Sequence, residues 1–269
     1  MTSIPYRGDD LLQMKPEEFR LLVRRGDWKE TTAAVCVNYG QADFVAVPKE
    51  YALEFLTLCL RNPRPMPILE VGEPGDPNPR VMAPQADLRT DLPKYRVFKD
   101  GKVIAEPYSV TDCWRDDLVA FLIGCSWGFV WALKTASIPF RSLGDYTTNI
   151  SLVPTSRLNG KMVCSCRAFP TSNDAVRAVQ VSSRFPVFHG APVHIGDPSA
   201  IGVDTIGQPD AFVPPWDTPP PEDYETVMFW GCGITPQNVA LESGIPFMIT
   251  HYPGHMFVVD KRVEELAIL

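Results

Sequence analysis

The chain has 269 residues, of which 45% are apolar and 27 are proline, and this length suits one large domain or two smaller ones with an extensive hydrophobic core. Its 25 basic and 32 acidic side chains give a net charge of −7. That charge argues against nucleic acid or an anionic membrane surface as a partner, because both favour an excess of Lys and Arg. The seven cysteines are an odd number, and a chain of this size needs no disulfides, so we expect a reduced, cytoplasmic protein.

Five helices are predicted from the residues that begin and end them. They are expected over residues 15–26, 48–61, 112–134, 172–184 and 235–244. In the first, a proline and two glutamates open the segment and two arginines close it, as the helix dipole favours. The third has a polar start and a long apolar body. It predicts a buried helix, because its uncharged run is shorter than the ~20 residues that cross a bilayer.

Short apolar runs predict nine strands. They are expected over residues 43–47, 95–98, 102–105, 149–153, 162–167, 187–189, 227–230, 247–250 and 256–259. From residue 227 onward the order of strand, helix and strand predicts a partly parallel sheet. Residues 99–102 predict a hairpin turn, and two proline-dense loops are expected over residues 62–80 and 207–221.

The first candidate site is the turn at residues 229–237, where Gly231 and Gly233 flank Cys232 between a predicted strand and a predicted helix. Such a turn presents backbone N–H groups and the positive end of the helix dipole, which suit a carboxylate or a developing oxyanion. We expect a lowered pKa for a thiol in this place. The alternative is a tight turn around a small buried thiol.

The second candidate site is residues 250–256, where His251 and His255 stand four residues apart. Pro253 and Gly254 lie between them, so the two histidines cannot share a regular helix as they do in zinc proteases. His251 follows a predicted strand, a position where an acid or a base is often placed. A hydrogen-bonded structural role is the alternative for both.

The other two histidines, His189 and His194, are five residues apart. An extended chain would point them to opposite faces, which disfavours a joint metal site. Cys164 and Cys166 share one face of a predicted strand, but no second cysteine pair completes a zinc site.

Residues 114–117 open the third predicted helix. Acids there suit the helix dipole, whereas Arg115 would suit a substrate carboxylate. The chain has no phosphate-binding loop, dinucleotide fingerprint or Gly-x-Ser-x-Gly motif.

Taken together, these segments resemble the D-glutamate cyclase-like family of hydro-lyases. The stretches that carry the resemblance are residues 73–77, 89–98, 114–121, 183–198, 231–237 and 251–255. The chain resembles a divergent member, because Asp43 stands where the family commonly has Asn and Val130 stands where it commonly has Glu.

The resemblance implies an α/β protein with a three-layer αβα sandwich and a smaller two-layer α+β subdomain. We expect the sandwich over residues 1–144 and 210–269 and the subdomain over residues 145–209. The resemblance also implies conversion of D-glutamate to 5-oxo-D-proline with loss of water.

The leading hypothesis is a hydro-lyase without cofactor or metal that cyclises a small amino dicarboxylate. His251 is predicted to be the general base, and Cys232 with the following helix N-terminus is predicted to stabilise the oxyanion. Asp117 is a further catalytic candidate. The predicted substrate-binding residues are Arg115, Arg167, Arg184, His189, Gly233, Thr235 and Gln237.

Two alternatives stay open at this point. One is a non-catalytic protein that binds a small carboxylic acid, and the other is a metal-dependent hydrolase that uses histidines and Asp197. The expected partner is a small carboxylate substrate, with no nucleic acid and no membrane, and a homo-oligomer is left open.

Overall fold

A computed structural model describes residues 8–33, 35–213 and 219–268. Over these residues the chain forms six α-helices and eleven strands. The helices are α1 (Gly8–Gln13), α2 (Pro16–Arg25), α3 (Lys49–Arg61), α4 (Trp127–Thr135), α5 (Ser172–Ser182) and α6 (Thr235–Ser243). The strands are β1 (Tyr39–Pro48), β2 (Ile68–Val71), β3 (Tyr95–Lys99), β4 (Lys102–Ala105), β5 (Leu118–Gly124), β6 (Arg141–Ser151), β7 (Lys161–Phe169), β8 (His194–Ile195), β9 (Thr226–Gly231), β10 (Phe247–His251) and β11 (Phe257–Arg262).

The larger of two sheets has seven strands in the order β2-β5-β1-β10-β3-β4, and β11 also pairs with β1. Every pairing in this sheet is antiparallel. Strand β1 lies at its centre and is buried along nearly its whole length. A polar side chain on β1 is therefore held inside the molecule, away from bulk water.

The smaller sheet has four antiparallel strands in the order β6-β7-β9-β8. Side chains of both sheets meet in one apolar core, in which Val45 and Phe121 of the larger sheet lie with Cys166 and Phe229 of the smaller one. Helices α4 and α5 contribute to a second core with Trp230 of β9. The two sheets are thus packed together, and polar side chains from both reach a common cavity.

Much of the element prediction is confirmed. Helices α2, α3, α5 and α6 lie where the sequence predicts them, and the mixed α/β class is confirmed. The hairpin turn is also confirmed, because Lys99 pairs with Lys102 while Asp100 and Gly101 have positive φ angles. The layering and the division at residues 145–209 stay predictions. Pro214 and Pro215 of the second predicted loop lie outside the described residues.

The helix predicted over residues 112–134 is wrong. Leu118–Gly124 is the fully buried strand β5, and the helix α4 begins only at Trp127. A strand buried on both faces carries a continuous apolar run, which periodicity cannot distinguish from a buried helix. Residues 114–117 therefore precede a strand, and Asp117 is not at a helix N-terminus.

Two smaller predictions are also wrong. The unit β9–α6–β10 does not form a parallel sheet, because β9 belongs to the smaller sheet and β10 to the larger one. The strand predicted over residues 187–189 is replaced by a 3-10 turn, Pro186–Phe188, which ends before His189, and its proline fixes the first φ angle. In the described part of the chain, no helix is long and apolar enough to cross a membrane.

Candidate active site

A cavity opens where strands of the two sheets approach each other, and it is partly open to solvent. The polar part of its lining, called the polar wall below, comprises Asp43, Cys125, Ser126, Ser142, Asp145, Ser165, Arg167, Cys232 and His251. The apolar part includes Trp127, Val130, Phe140, Phe212, Ile234 and Met256. The polar wall combines charged, titratable and hydroxyl groups, so its geometry decides what the cavity can bind.

Arg167 supplies a fixed positive charge to this wall. Its side chain is 3% exposed, and the guanidinium carbon lies 5.0 Å from the ring centroid of Phe129 and 5.2 Å from that of Trp230. Nη1 donates to the Ser165 hydroxyl and Nη2 to the Ser126 hydroxyl, both at 2.9 Å. Burial lowers the pKa of this guanidinium, but an arginine remains charged at neutral pH. The fork is thus oriented before any ligand arrives.

The alternation of side chains along β7 explains this placement. Ser165 and Arg167 are two residues apart, so they lie on the same face of the strand. Cys164 and Cys166 point the other way, into the core shared by the two sheets. The shared face predicted for these cysteines is confirmed, and that face is structural.

Asp43 and His251 form a buried acid–imidazole pair on the neighbouring strands β1 and β10. Oδ1 of Asp43 lies 3.0 Å from Nε2 of His251, and both side chains are almost inaccessible to solvent. Their alignment does not meet hydrogen-bond geometry, and Nε2 of His251 and Oδ2 of Asp43 have no hydrogen-bond partner among the described residues. A bound ligand with N–H or O–H groups would satisfy these atoms.

Asp145 is the second acid of the cavity, on β6. Burial raises the pKa of its carboxyl group to about 7, although the Arg167 guanidinium acts in the opposite direction. Nearby Asp43 contributes in the same direction as burial, because two carboxylates in one site resist ionising together. Near neutral pH this carboxyl group can therefore exist in both protonation states.

Cys232 departs from the sequence prediction. Burial raises the pKa of its thiol well above the usual value, and the carboxylates of Asp145 and Asp43 raise it further. Its Sγ donates to Oδ2 of Asp145 over 3.6 Å, and its backbone N–H donates to the carbonyl of Val163. The expectation of a lowered pKa is wrong, because burial beside acids outweighs the helix N-terminus.

The turn between β9 and α6 packs against the acid of the neighbouring sheet. A Cβ atom at Gly233 would lie 1.9 Å from Oδ2 of Asp43, so this position requires glycine. Thr235 and Gln237 are buried and bonded within the protein: Thr235 donates to the carbonyl of Cys232 and Gln237 to the carbonyl of His251. Gly233, Thr235 and Gln237 are therefore close to the cavity but hold its parts in position.

Other predicted site residues lie elsewhere. Arg115 and Asp117 form an ion pair with each other, with Nε 2.8 Å from Oδ1, and both are partly exposed. Arg184 donates to the carbonyl of Ile268. His189 is buried, and its Nδ1 lies 2.7 Å from the carbonyl oxygen of Arg64. Burial lowers the pKa of His189 to about 4, so its ring is neutral at pH 7.

Potential metal ligands are not grouped together in the described part of the chain. Within residues 8–33, 35–213 and 219–268, no three His, Cys, Asp or Glu side chains are arranged to hold a metal ion. Nε2 of His194 lies 2.7 Å from the backbone oxygen of Asp197, and His255 contacts the carbonyls of Pro253 and Lys29.

Sequence reasoning missed Asp43 and Asp145 as site residues, together with Ser126 and Ser165. A signal was present for the two acids, since each stands among apolar or small residues in a strand that is otherwise suited to a core. A carboxylate in such a strand is rarely left without a partner or a role. The serines carry no comparable signal, because their role depends on where Arg167 lies.

Comparison with known proteins identifies one family. Residues 119–260 match the family model described as D-glutamate cyclase. A protein of Geobacillus kaustophilus named "Putative hydro-lyase" is 48% identical over 95% of this chain and 98% of its own length. A protein of Bacillus licheniformis with the same designation is 46% identical over 96% of this chain and 98% of its own.

A solved structure also resembles this chain, though distantly. It is the crystal structure of a nitrogen repressor-like protein from Methanococcus jannaschii, with 8% identity and a TM-score of 0.39 over 93% of this chain and 99% of that one. A likeness at this level carries no functional information.

Proposed function

This chain belongs to the D-glutamate cyclase family of hydro-lyases, and we propose that it converts D-glutamate to 5-oxo-D-proline with loss of water. The observation that supports this reaction is the composition of the polar wall. The oriented guanidinium of Arg167, the carboxyl group of Asp145 and the pair formed by Asp43 and His251 all line one cavity. These are a carboxylate anchor, a proton donor and a proton acceptor.

Substrate binding follows from the charges. Arg167 and its two serines would hold the α-carboxylate, since a guanidinium binds a carboxylate through two parallel hydrogen bonds. The substrate ammonium would then meet Oδ2 of Asp43 and Nε2 of His251, two atoms without a hydrogen-bond partner in the described part of the chain. The γ-carboxyl group would lie beside Asp145, whose raised pKa allows it to carry a proton near pH 7.

The chemistry moves two protons from nitrogen to oxygen. His251, paired with Asp43, takes a proton from the ammonium, and the resulting amine attacks the γ-carboxyl carbon to form a C–N bond. Asp145 gives the first proton to one oxygen of the γ-carboxyl group and then takes the second proton of the nitrogen as the tetrahedral intermediate collapses. The His251 imidazolium returns its proton to the same oxygen, which leaves as water. A positioned acid and a positioned base typically contribute ~10²–10⁴-fold each.

Cys232 is assigned a supporting role in this scheme. Its raised pKa keeps the thiol protonated at neutral pH, so it donates a hydrogen bond to Asp145 instead of attacking the substrate. A covalent route is also unfavourable on chemical grounds, because a free carboxylate is a poor acyl donor to a thiol.

The test is NMR of the purified protein with D-glutamate, L-glutamate and both enantiomers of 5-oxoproline. We expect the D pair to interconvert and the L pair to remain unchanged. If none of the four compounds changes, the proposed reaction is wrong. Thermal stabilisation by these ligands without turnover would instead support a non-catalytic carboxylate-binding protein.

A further inference from the structure

The polar wall of the cavity carries two sets of polar groups, one of hydrogen-bond donors and one of carboxyl groups. Arg167 and the hydroxyls of Ser126 and Ser165 are the donors, because each serine accepts from the guanidinium and keeps its own hydrogen to donate. A single carboxylate can accept hydrogen bonds from the guanidinium and from both hydroxyls. Arg167 is the one Lys or Arg among the described residues that line the cavity.

The second set of groups on the polar wall consists of the carboxyl groups of Asp43 and Asp145. Oδ2 of Asp43 is buried and has no partner within the described residues, and Asp145 is close enough to Asp43 for their charges to interact. An ammonium and a carboxamide NH2 group both donate to such atoms. A γ-carboxylate fits beside these groups only when Asp145 carries a proton, whereas a carboxamide is neutral and can also donate to a carboxylate.

We propose that the same cavity also binds D-glutamine, the γ-carboxamide of D-glutamate, and cyclises it to 5-oxo-D-proline with loss of ammonia. The proposal rests on the proposed function for the binding mode, because the α-carboxylate lies on Arg167 in both cases. It extends that function to a neutral reacting group, the carboxamide, whose NH2 donates to the carboxyl groups of the polar wall.

The atoms and charges balance without a co-reactant. The substrate ammonium loses two protons in all, one before attack on the amide carbon and one as the intermediate collapses. A C–N bond to the α-nitrogen forms and the C–N bond to the amide nitrogen breaks. The leaving NH2 group takes up both protons and departs as ammonium, while the product keeps its carboxylate charge.

The experiment uses the full chain with D-glutamine and D-glutamate in parallel, and it follows 5-oxoproline by NMR and ammonia by a coupled assay. Incubation without protein corrects for spontaneous cyclisation of glutamine. D-asparagine is the matched control, because its chain is one carbon shorter and ring closure would give a four-membered lactam. We expect an acceleration of about 10⁶-fold over the uncatalysed reaction of D-glutamine, the low end of the enzymatic range.

The outcomes separate this inference from the proposed function. Protein-dependent ammonia release from D-glutamine that is lost in Arg167→Met supports the inference, even if D-glutamate does not react. Turnover of D-glutamate with no acceleration for D-glutamine overturns the inference and leaves the proposed function intact. Ammonia release that persists in Arg167→Met also overturns it, since the reaction would then not use this cavity.

Discussion

Among the described residues that line the cavity, Arg167 is the only Lys or Arg. Two serine hydroxyls and two aromatic rings fix its guanidinium, so little conformational freedom is lost when a carboxylate binds. Preorganisation of this kind is what makes a single charge sufficient to orient a small substrate.

Replacing Arg167 by Met keeps the apolar stem and removes the charge. We expect kcat/KM for D-glutamate to fall by roughly 100-fold or more, because a buried ion pair with the substrate is lost. The matched control is Arg115→Gln, which removes a surface guanidinium paired with Asp117 and should leave kcat/KM unchanged. The reverse pattern, with Arg115 essential and Arg167 dispensable, would contradict the site described above.

The second residue-scale prediction concerns the proton acceptor. In His251→Ala we expect kcat to fall by ~10²–10⁴-fold, the usual contribution of a positioned base. His194→Gln is the control, since His194 lies outside the cavity lining and its loss should not change turnover. Full turnover in His251→Ala would show that another group takes the proton.

At this scale the sequence predicted Arg167, Cys232 and His251, all of which line the cavity. Their local patterns, an arginine on a strand and small or polar residues at strand ends, are visible without a structure. Asp43 and Asp145 lie on strands of different sheets, so their proximity depends on how the sheets pack. That long-range information is absent from any local pattern.

Among the secondary-structure elements, the turn from β9 into α6 packs directly against the acid–imidazole pair of the site. Gly233 lies against the Asp43 carboxylate, and Gln237 of α6 donates to the backbone of His251 on β10. One short segment thus positions both members of the acid–imidazole pair. The sequence indicated this turn from its two glycines, but it misassigned β5 as helix because a buried strand and a buried helix have similar composition.

Gly233→Ala tests this packing. A Cβ atom 1.9 Å from Asp43 Oδ2 forces the turn or β1 to move, and overpacking of this kind typically costs ~1–3 kcal/mol in the free energy of unfolding. We expect a lower melting temperature and a loss of turnover. In the control Gly8→Ala the added methyl group meets no atom of the described residues within 4 Å, so turnover should be unchanged and the melting temperature should not fall. If Gly233→Ala behaves like this control, the close contact is not present in solution.

For the whole molecule, the net charge of −7 is compatible with the proposed carboxylate substrate because the charge is unevenly placed. The cavity holds a buried arginine, whereas most acidic residues are at the surface or paired with surface arginines. Composition therefore argues against nucleic acid as a partner but does not describe the pocket. The placement of a single cation depends on the fold and cannot be read from the net charge.

The free energy of unfolding of the whole chain should depend on pH through Asp145. Its carboxyl pKa is about 7 in the folded chain, against an ordinary value of 3.8. Below about pH 4 the carboxyl group is protonated in both the folded and the unfolded chain, so it does not lower the free energy of unfolding. As the pH rises towards 7, the unfolded chain loses this proton while the folded chain keeps it, so the free energy of unfolding decreases. Above pH 7 the penalty is constant.

Urea unfolding of the wild type and of Asp145→Asn measures this effect. We expect the variant to gain stability relative to the wild type as the pH is raised from about 4 to about 7, with a limiting slope of ~1.4 kcal/mol per pH unit. Asn has no titrating group, so comparing the two proteins cancels the other carboxyl groups. A difference that is constant with pH would show that Asp145 titrates normally.

The most direct test of the central claim is a crystal structure of the protein with 5-oxo-D-proline. The account predicts the ligand carboxylate on the guanidinium of Arg167 and the hydroxyls of Ser126 and Ser165, with the lactam ring between Asp145 and His251. A ligand bound outside this cavity, or bound in it with its carboxylate away from Arg167, would contradict the account.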